Sequence, residues 1–254
     1  CTPDQIKGEA KNIAKIIEEF YTPLGLFGDH WVSLSVRNLK TPEAYLGEPS
    51  DWDKAEKMLQ EVSDEFKLGA QRMEGAAAIY GPKLDYMFKD SMGREWQLAT
   101  IQIDFAMSKR FELEYTDEKG EKSIPVIIHR AILGSYERFL AILIEHFAGA
   151  FPVWLSPVQT AILPISDKQN EWAEKVYEKL KAEGIRVEIN KNNETLGKKI
   201  REAELQKIPY LLVIGDKEVE AKSVAVRQRG KGDIGQMKVE EFMEKIKEEI
   251  EKKT

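Results

Sequence analysis

Apolar residues recur at helical spacing from the start of the chain, at Ile6, Ala10, Ile13, Ile17 and Phe20. Thr2, Pro3 and Gln5 precede them as a capping box with proline at the first helical position, which predicts a helix from the second residue. TPLGLFGDH (22–30) is then a loop and WVSLSVR (31–37) a strand. Ala55, Met58, Leu59, Val62 and Phe66 mark one face of a second helix. Residues 78–89 and 95–106 form a hairpin closed at DSMGR (90–94), and TDEKG (116–120) turns the chain into the strand SIPVIIH (123–129). The first half therefore predicts an α+β arrangement, an antiparallel sheet backed by helices.

The pattern changes after Phe151, where Pro152 and Pro157 bracket a junction. The expected domains are 1–151 and 152–254. Beyond the junction come strand 160–164, helix 167–183 closed by Gly184, strand 185–189, helix 195–207, strands 209–214 and 222–228, and helix 238–252. In the last helix Val239, Phe242, Met243, Ile246 and Ile250 form a core stripe. Strand–helix alternation of this kind predicts a three-layer α/β domain.

Some strands carry the wrong inventory for a plain core. In WQLATIQIDF (96–105), Trp96, Leu98, Thr100, Gln102 and Asp104 share one face, while Ile101, Ile103 and Phe105 share the other. The polar row is either a solvated sheet face or a floor that hydrogen-bonds a small ligand. In the run 128–159, His129 and Arg130 end a strand, and Glu137 and Arg138 follow the Gly134–Ser135 turn. Arg138 is placed to grip phosphate with its guanidinium fork, or to pair with Glu137 or Glu145 as a structural ion pair. A lone histidine such as His129 is more often a satisfied structural residue than a metal ligand, and the other two, His30 and His146, supply no ligand spacing. Lys198, Lys199 and Arg201, with Arg227, Arg229 and Lys231, make either a basic patch or a scatter of surface charge.

Composition narrows the classes. With 32% charged and 42% hydrophobic residues, the chain has the make-up of a folded domain pair and not of a disordered chain. No apolar run reaches the ~20 residues of a membrane span, and no export signal opens the sequence. One cysteine, Cys1, excludes internal disulfides and fits a reducing cytoplasm. The net charge of -6 means that any nucleic-acid binding must rest on a local patch.

HRAILGSYERF (129–139) and AGAFPVWLSPVQ (148–159) closely resemble motif 3 of class II aminoacyl-tRNA synthetases, in the wording of the threonyl-tRNA synthetase family. YGPKLDY (80–86), WQLATIQIDF, 186–220 and VAVRQRGKGDIG (224–235) extend the resemblance over nearly the whole chain. It implies a partial class II catalytic domain followed by an anticodon-binding domain, acting in ATP-dependent threonine activation and transfer to threonine tRNA. It implies Gln97 and Arg138 at ATP with Mg²⁺, Arg138 being catalytic, and Tyr80, Lys83 and Gln102 at threonine. His129 becomes a Zn²⁺ ligand, and Asn193, Glu218 and Arg227 become readers of anticodon bases. Strict alternation sends Gln97 and Gln102 to opposite faces, so a bulge or a different depth of approach between them is required.

The sequence departs from the family's pattern in lacking motifs 1 and 2 and the other two zinc ligands. The resemblance thus implies a carboxy-terminal portion, incomplete alone, needing an amino-terminal segment or partner chain, with a homodimer expected for the complete enzyme. The alternative is a noncatalytic tRNA-binding or accessory protein derived from a synthetase.

Overall fold

The computed structural model describes residues 1–28 and 30–253; Asp29, in the expected 22–30 loop, and Thr254 lie outside the described residues. The chain divides into two compact units, Cys1–Leu143 and Ile144–Thr254. Among the described residues no helix is long and apolar enough to cross a membrane.

The first unit begins with a single 3-10 turn at Pro3–Gln5, where the Thr2 amide donates to Gln5 Oε1 at 3.0 Å, and continues as α1 (Ile6–Tyr21). Next come β1 (His30–Val36), α2 (Pro49–Glu65), β2 (Gln71–Glu74), β3 (Lys83–Lys89) and β4 (Glu95–Asp104). The unit closes with α3 (Ala106–Arg110), a small hairpin β5 (Tyr115–Thr116) and β6 (Lys122–Ser123), β7 (Ile127–Ala131) and α4 (Tyr136–His146), whose last residues belong to the second unit. The main sheet has the order β2-β1-β3-β4-β7 and is antiparallel except for the β1·β2 pair.

Alternation splits this sheet into two unlike faces. Leu34, Leu84, Tyr86, Phe88, Ala99, Ile101 and Ile103 are buried on one. There Ile6, Ala10, Ile13, Ile17 and Tyr21 of α1 and Leu59 and Val62 of α2 complete the core, with Tyr21 stacked on Phe88 at 4.3 Å between ring centroids. The opposite face is polar and carries the candidate site.

Three features departed from expectation for local reasons. The strand expected over 123–129 is interrupted, because Pro125 brings no N–H to a ladder, and pairing resumes only at Ile127. The exposed strand β2, with sequence QRME, has no apolar alternation to betray it; Arg72 ties it to Glu56 of α2 at 2.8 Å. The short helix α3 is capped by Asp104, whose Oδ1 accepts the amides of Ala106 and Met107 at 2.8 and 2.9 Å.

The second unit comprises β8 (Thr160–Pro164), α5 (Asn170–Ala182), β9 (Val187–Ile189), α6 (Leu196–Leu205) and β10 (Tyr210–Ile214), then α7 (Asp216–Ala221), β11 (Ser223–Gln228), β12 (Gly232–Lys238) and α8 (Val239–Lys252). Its sheet runs β12-β11-β10-β8-β9, parallel among β8, β9 and β10 and antiparallel beyond. Side chains of α5 and α8 pack with Ile162, Tyr210, Leu212 and Ile214 on one face, while Ala203 of α6 packs with Ala161, Leu163 and Leu211 on the other. That is the expected three-layer α/β arrangement, with α7 and β12 added. β12 escaped the sequence pattern because three glycines fall within GKGDIG.

The β3–β4 hairpin closes through one carboxylate. Asp90 accepts from the amides of Met92 and Arg94, from Arg94 Nε at 2.6 Å and from Trp96 Nε1 at 2.9 Å. The Trp96 bond, with the amides and guanidinium of this turn, holds the Asp90 pKa down at about 2. Because the folded value lies below the unfolded one, this contribution to stability is present above the ordinary carboxyl range and is lost as pH falls toward 2. Asp90→Asn is therefore expected to lower stability at neutral pH and to flatten its decline between about pH 4 and pH 2. Urea titrations of both chains across that range provide the check, and parallel declines would assign the acid sensitivity elsewhere.

Candidate functional site

The polar face of the first sheet is organised in cross-strand rows. Register pairs Ser35 with Lys83, Lys83 with Gln102, and Gln102 with His129, so four strands contribute one line of side chains. Ser33, Asp85 and Thr100 form the next line. Between Tyr86 and Met87 the β3·β4 register shifts: Tyr86 faces Ala99 and Met87 faces Gln97, leaving Leu98 as the extra residue. This bulge is what the alternation required. It returns Gln97 to the polar face, where Gln97 Nε2 and Thr100 Oγ1 each donate to Asp85 Oδ1 at 2.7 Å.

Asp85 is the residue that sequence reasoning missed. It is buried and also accepts from Ser35 Oγ at 3.0 Å and from Lys83 Nζ at 2.8 Å through Oδ2. Its signal was the period of two in YGPKLDY, which puts it on the same face as Lys83. Gln102 is buried too and gives its amide to Gly81 O at 3.1 Å. A side chain at Gly81 has no room: its Cβ would sit 1.9 Å from Ile103 O. The YGPK loop thus lies flat against β4, and Tyr80 stands over the site with its ring 5.2 Å from that of His129.

His129 Nε2 contacts Asp104 Oδ2 at 2.9 Å. Asp104 is fully buried, and its other oxygen is occupied by the α3 amides. This holds the ring by one nitrogen and leaves Nδ1 for a ligand. A zinc site needs three or four such donors. Among the described residues no group of three or more His, Cys, Asp or Glu is placed to hold a metal ion, so these residues do not build that site by themselves.

Arg138 lies on the first turn of α4, its amide donating to Ser135 Oγ at 3.3 Å. Its exposed guanidinium lies 5.7 Å from the centroid of the Trp96 ring, and that of Arg94 lies 5.8 Å from the same ring. The ring fixes a cation that remains open to an anionic ligand. Tyr80, Lys83, Gln97, Gln102 and His129 are thus joined by register and contact on one floor, and Arg138 rests on the ring of Trp96, next to Gln97 in β4.

In the second unit the three expected base readers stand on three different segments. Asn193 is exposed in the segment before α6. Glu218 lies in the first turn of α7, where its Oε2 accepts the Gly215 amide at 2.9 Å. Arg227 pairs in register with Leu211 on β11 and comes within 4.0 Å of Glu204. Its Nε is buried without a partner, beside a cavity of about 120 Å³. Of the two readings left open for the cations here, three of them favour scattered charge over a basic patch. Lys198 is tied to Glu194 at 2.5 Å and to Glu202 at 3.7 Å, Lys199 is buried, and Arg229 is spent on the carbonyls of Ala150, Phe151 and Lys207. Carboxylates hold Lys198, and main-chain carbonyls occupy the donors of Lys199 and Arg229.

The family described as the tRNA synthetase class II core domain (G, H, P, S and T) matches residues 1–147. The chain belongs to the class II tRNA synthetases. The anticodon binding domain family matches residues 159–249 of this synthetase chain. A threonine–tRNA ligase of Clostridium botulinum (strain Langeland) is 51% identical over 253 residues, covering 100% of the chain and 39% of the ligase. The corresponding ligase of Carboxydothermus hydrogenoformans is 48% identical over 251 residues, covering 99% and 39%. The crystal structure of the RNA binding domain of threonyl-tRNA synthetase from Cryptosporidium parvum superposes with a TM-score of 0.86 at 36% identity, over 98% of this chain and 61% of that one. The synthetase chain therefore spans about 39% of the length of the curated relatives it matches.

Within this class II synthetase fold, Asp85 holds the floor together. Asp85→Ala leaves Lys83, Gln97 and Thr100 without their common acceptor, and removing one partner of a buried ion pair costs about 3–5 kcal/mol. Chemical denaturation of the chain should show a loss of that order. A loss like that of an ordinary surface substitution would show that the floor does not depend on this carboxylate.

Proposed function

We propose that the chain is the portion of a threonine–tRNA ligase that contributes the motif 3 side of the adenylate site and the anticodon-binding domain, from about residue 152 onward. The observation that carries this reading is the row Lys83–Gln102–His129 across three strands, with Tyr80 over it and Arg138 held on Trp96. Lys83, Tyr80 and Gln102 take threonine, and Gln97 and Arg138 take ATP with its Mg²⁺. Gln97 has given its amide to a carboxylate, so its Oε1 is the group offered to ligand. Its contact with ATP is then to a hydroxyl or amino donor, while Arg138 supplies positive charge to phosphate oxygens. His129 offers Nδ1 to zinc; the described residues do not complete that site, and no step is assigned to the metal.

In this class of reaction the protein positions ATP and the carboxylate of threonine and stabilises charge at the α-phosphate. In the full-length protein, Arg138→Ala should lower threonine-dependent ATP–pyrophosphate exchange by roughly 10²–10³-fold, the cost of removing one preorganised charge contact. Near-normal exchange would reassign Arg138 to a structural contact with Trp96. Cytoplasmic location, a homodimer for the complete enzyme and threonine tRNA as partner belong to the same proposal.

Arg227, with an unpartnered buried Nε beside a cavity, is the strongest of the proposed base readers. Unstacked bases are read on their edges by such groups and by stacking on guanidinium planes. Arg227→Ala is expected to reduce the preference for threonine tRNA over an anticodon-swapped tRNA by about 1–3 kcal/mol, the range for one base contact. Titrations of both tRNAs with the two proteins at two salt concentrations measure it. Equal affinities for the two tRNAs in the unmutated protein would remove the case for anticodon reading.

A further inference from the structure

Trp96 has no assigned part in the chemistry, yet several contacts converge on it. The residue is half-buried and pairs in register with Phe88 of the core. Its indole Nε1 donates to Oδ2 of the buried Asp90 at 2.9 Å, and the same oxygen takes Arg94 Nε at 2.6 Å. The guanidinium of Arg94 also lies 5.8 Å from the centroid of the indole. A partly buried ring tied by its one donor to a buried carboxylate has little freedom to turn. The turn of the β3–β4 hairpin therefore sets the orientation of this indole.

The ring in turn carries the guanidinium of Arg138, 5.7 Å from its centroid. The main chain leading to Arg138 is fixed on the same stretch of β4. Pairing between β7 and β4 ends at Ala131 and Thr100, and the chain then runs on beside β4. A Cβ on Gly134 would stand 3.1 Å from Leu98 O and 3.4 Å from Gln97 O, and the φ of this glycine is +70°. Glycine thus lets α4 begin close against the bulge that returns Gln97 to the polar face. Residues 96–98 hold Arg138 twice, through its backbone and through its side chain.

The kind of support matters. An exposed arginine gives up much rotamer freedom when it meets a ligand, and a guanidinium already resting on a ring has given up part of it beforehand. A carboxylate could hold the group as firmly, but it would cancel the charge and occupy the fork. An indole, the best aromatic face for a cation, leaves the charge uncancelled and the N–H donors for phosphate oxygens. We propose that Trp96 is a positioning residue for the activation step: set by Asp90 and Arg94, it presents the Arg138 guanidinium to the ATP phosphates in one orientation and without a counter-charge. This rests on the reading of Arg138 as a phosphate contact and extends it to a residue that does not touch substrate.

The test is threonine-dependent ATP–pyrophosphate exchange in the full-length protein, for Trp96→Leu, Trp96→Phe, Arg138→Ala and the double variant Trp96→Leu with Arg138→Ala. Trp96→Leu should lower kcat/KM for ATP about five-fold, the order of one cation–π contact, and leave KM for threonine unchanged. Trp96→Phe keeps a ring and should recover part of that loss. In the Arg138→Ala background Trp96→Leu should cost nothing further, because the two side chains act as one unit. A merely structural tryptophan would lower exchange by the same factor in both backgrounds or raise KM for threonine, and either result would overturn the proposal. So would normal exchange in Trp96→Leu, or a phenylalanine variant as slow as the leucine one. Should Trp96→Leu fail to fold, a ring-fluorinated tryptophan placed at position 96 keeps nearly the same shape with less π density. It should lower kcat/KM for ATP about two-fold, again only where Arg138 is present, and no loss would overturn the proposal. Near-normal exchange in Arg138→Ala removes the parent reading along with this one. A deep loss there beside normal exchange in Trp96→Leu removes only the role of Trp96.

Discussion

A single buried carboxylate, Asp85, sets the geometry of the first unit's functional face. Three strands meet on it: Ser35 from β1, Lys83 from β3, and Gln97 and Thr100 from β4. An ionised carboxylate has roughly four acceptor sites, and four side-chain donors fill them. A buried charge so satisfied is tolerated where an unpaired one is not. The arrangement has a directional effect as well. Gln97 turns its amide nitrogen to Asp85 and is left with Oε1 to present, so the same interaction that stabilises the sheet decides what that side chain shows to a ligand.

The helices complete this logic from behind. The apolar face buries aromatic and branched residues against α1 and α2, which leaves the polar face free of any packing duty. Gly81 lets the preceding loop press onto β4, so Tyr80 and the backbone carbonyl that receives Gln102 are placed by main-chain contact. The candidate site is thus built on strands and on a loop packed directly against β4, the kind of support that positions a constellation of side chains.

Much of this was legible in the residues. Periods of 3.6 and 2 located α1, α2, the β3–β4 hairpin and nearly every element of the second unit, because each buries one continuous stripe. The requirement for a bulge between Gln97 and Gln102 followed from alternation alone, and Leu98 meets it. What stayed hidden were features that periodicity does not encode. β2 lacks an apolar face, β12 sets its two core contacts, Ile234 and Met237, out of the period of two, and Pro125 ends a strand that apolar content would continue. Asp85 looked like one more charge on a strand, since its worth depends on three neighbours distant in sequence. Lys199 looked like a surface cation, since only the packing of α6 over β8 turns it inward.

Arg229 shows how such placement shapes what the chain tolerates. Among the described residues its guanidinium hydrogen-bonds main-chain carbonyls alone, those of Ala150, Phe151 and Lys207. Those carbonyls are present whatever side chains stand there, so the three positions are free to drift over evolutionary time without losing the contact. Arg229 itself has no such latitude, because a lysine lacks the planar fork that reaches separate acceptors at once. Variation among relatives should therefore fall unevenly here, with one intolerant position serving three permissive ones.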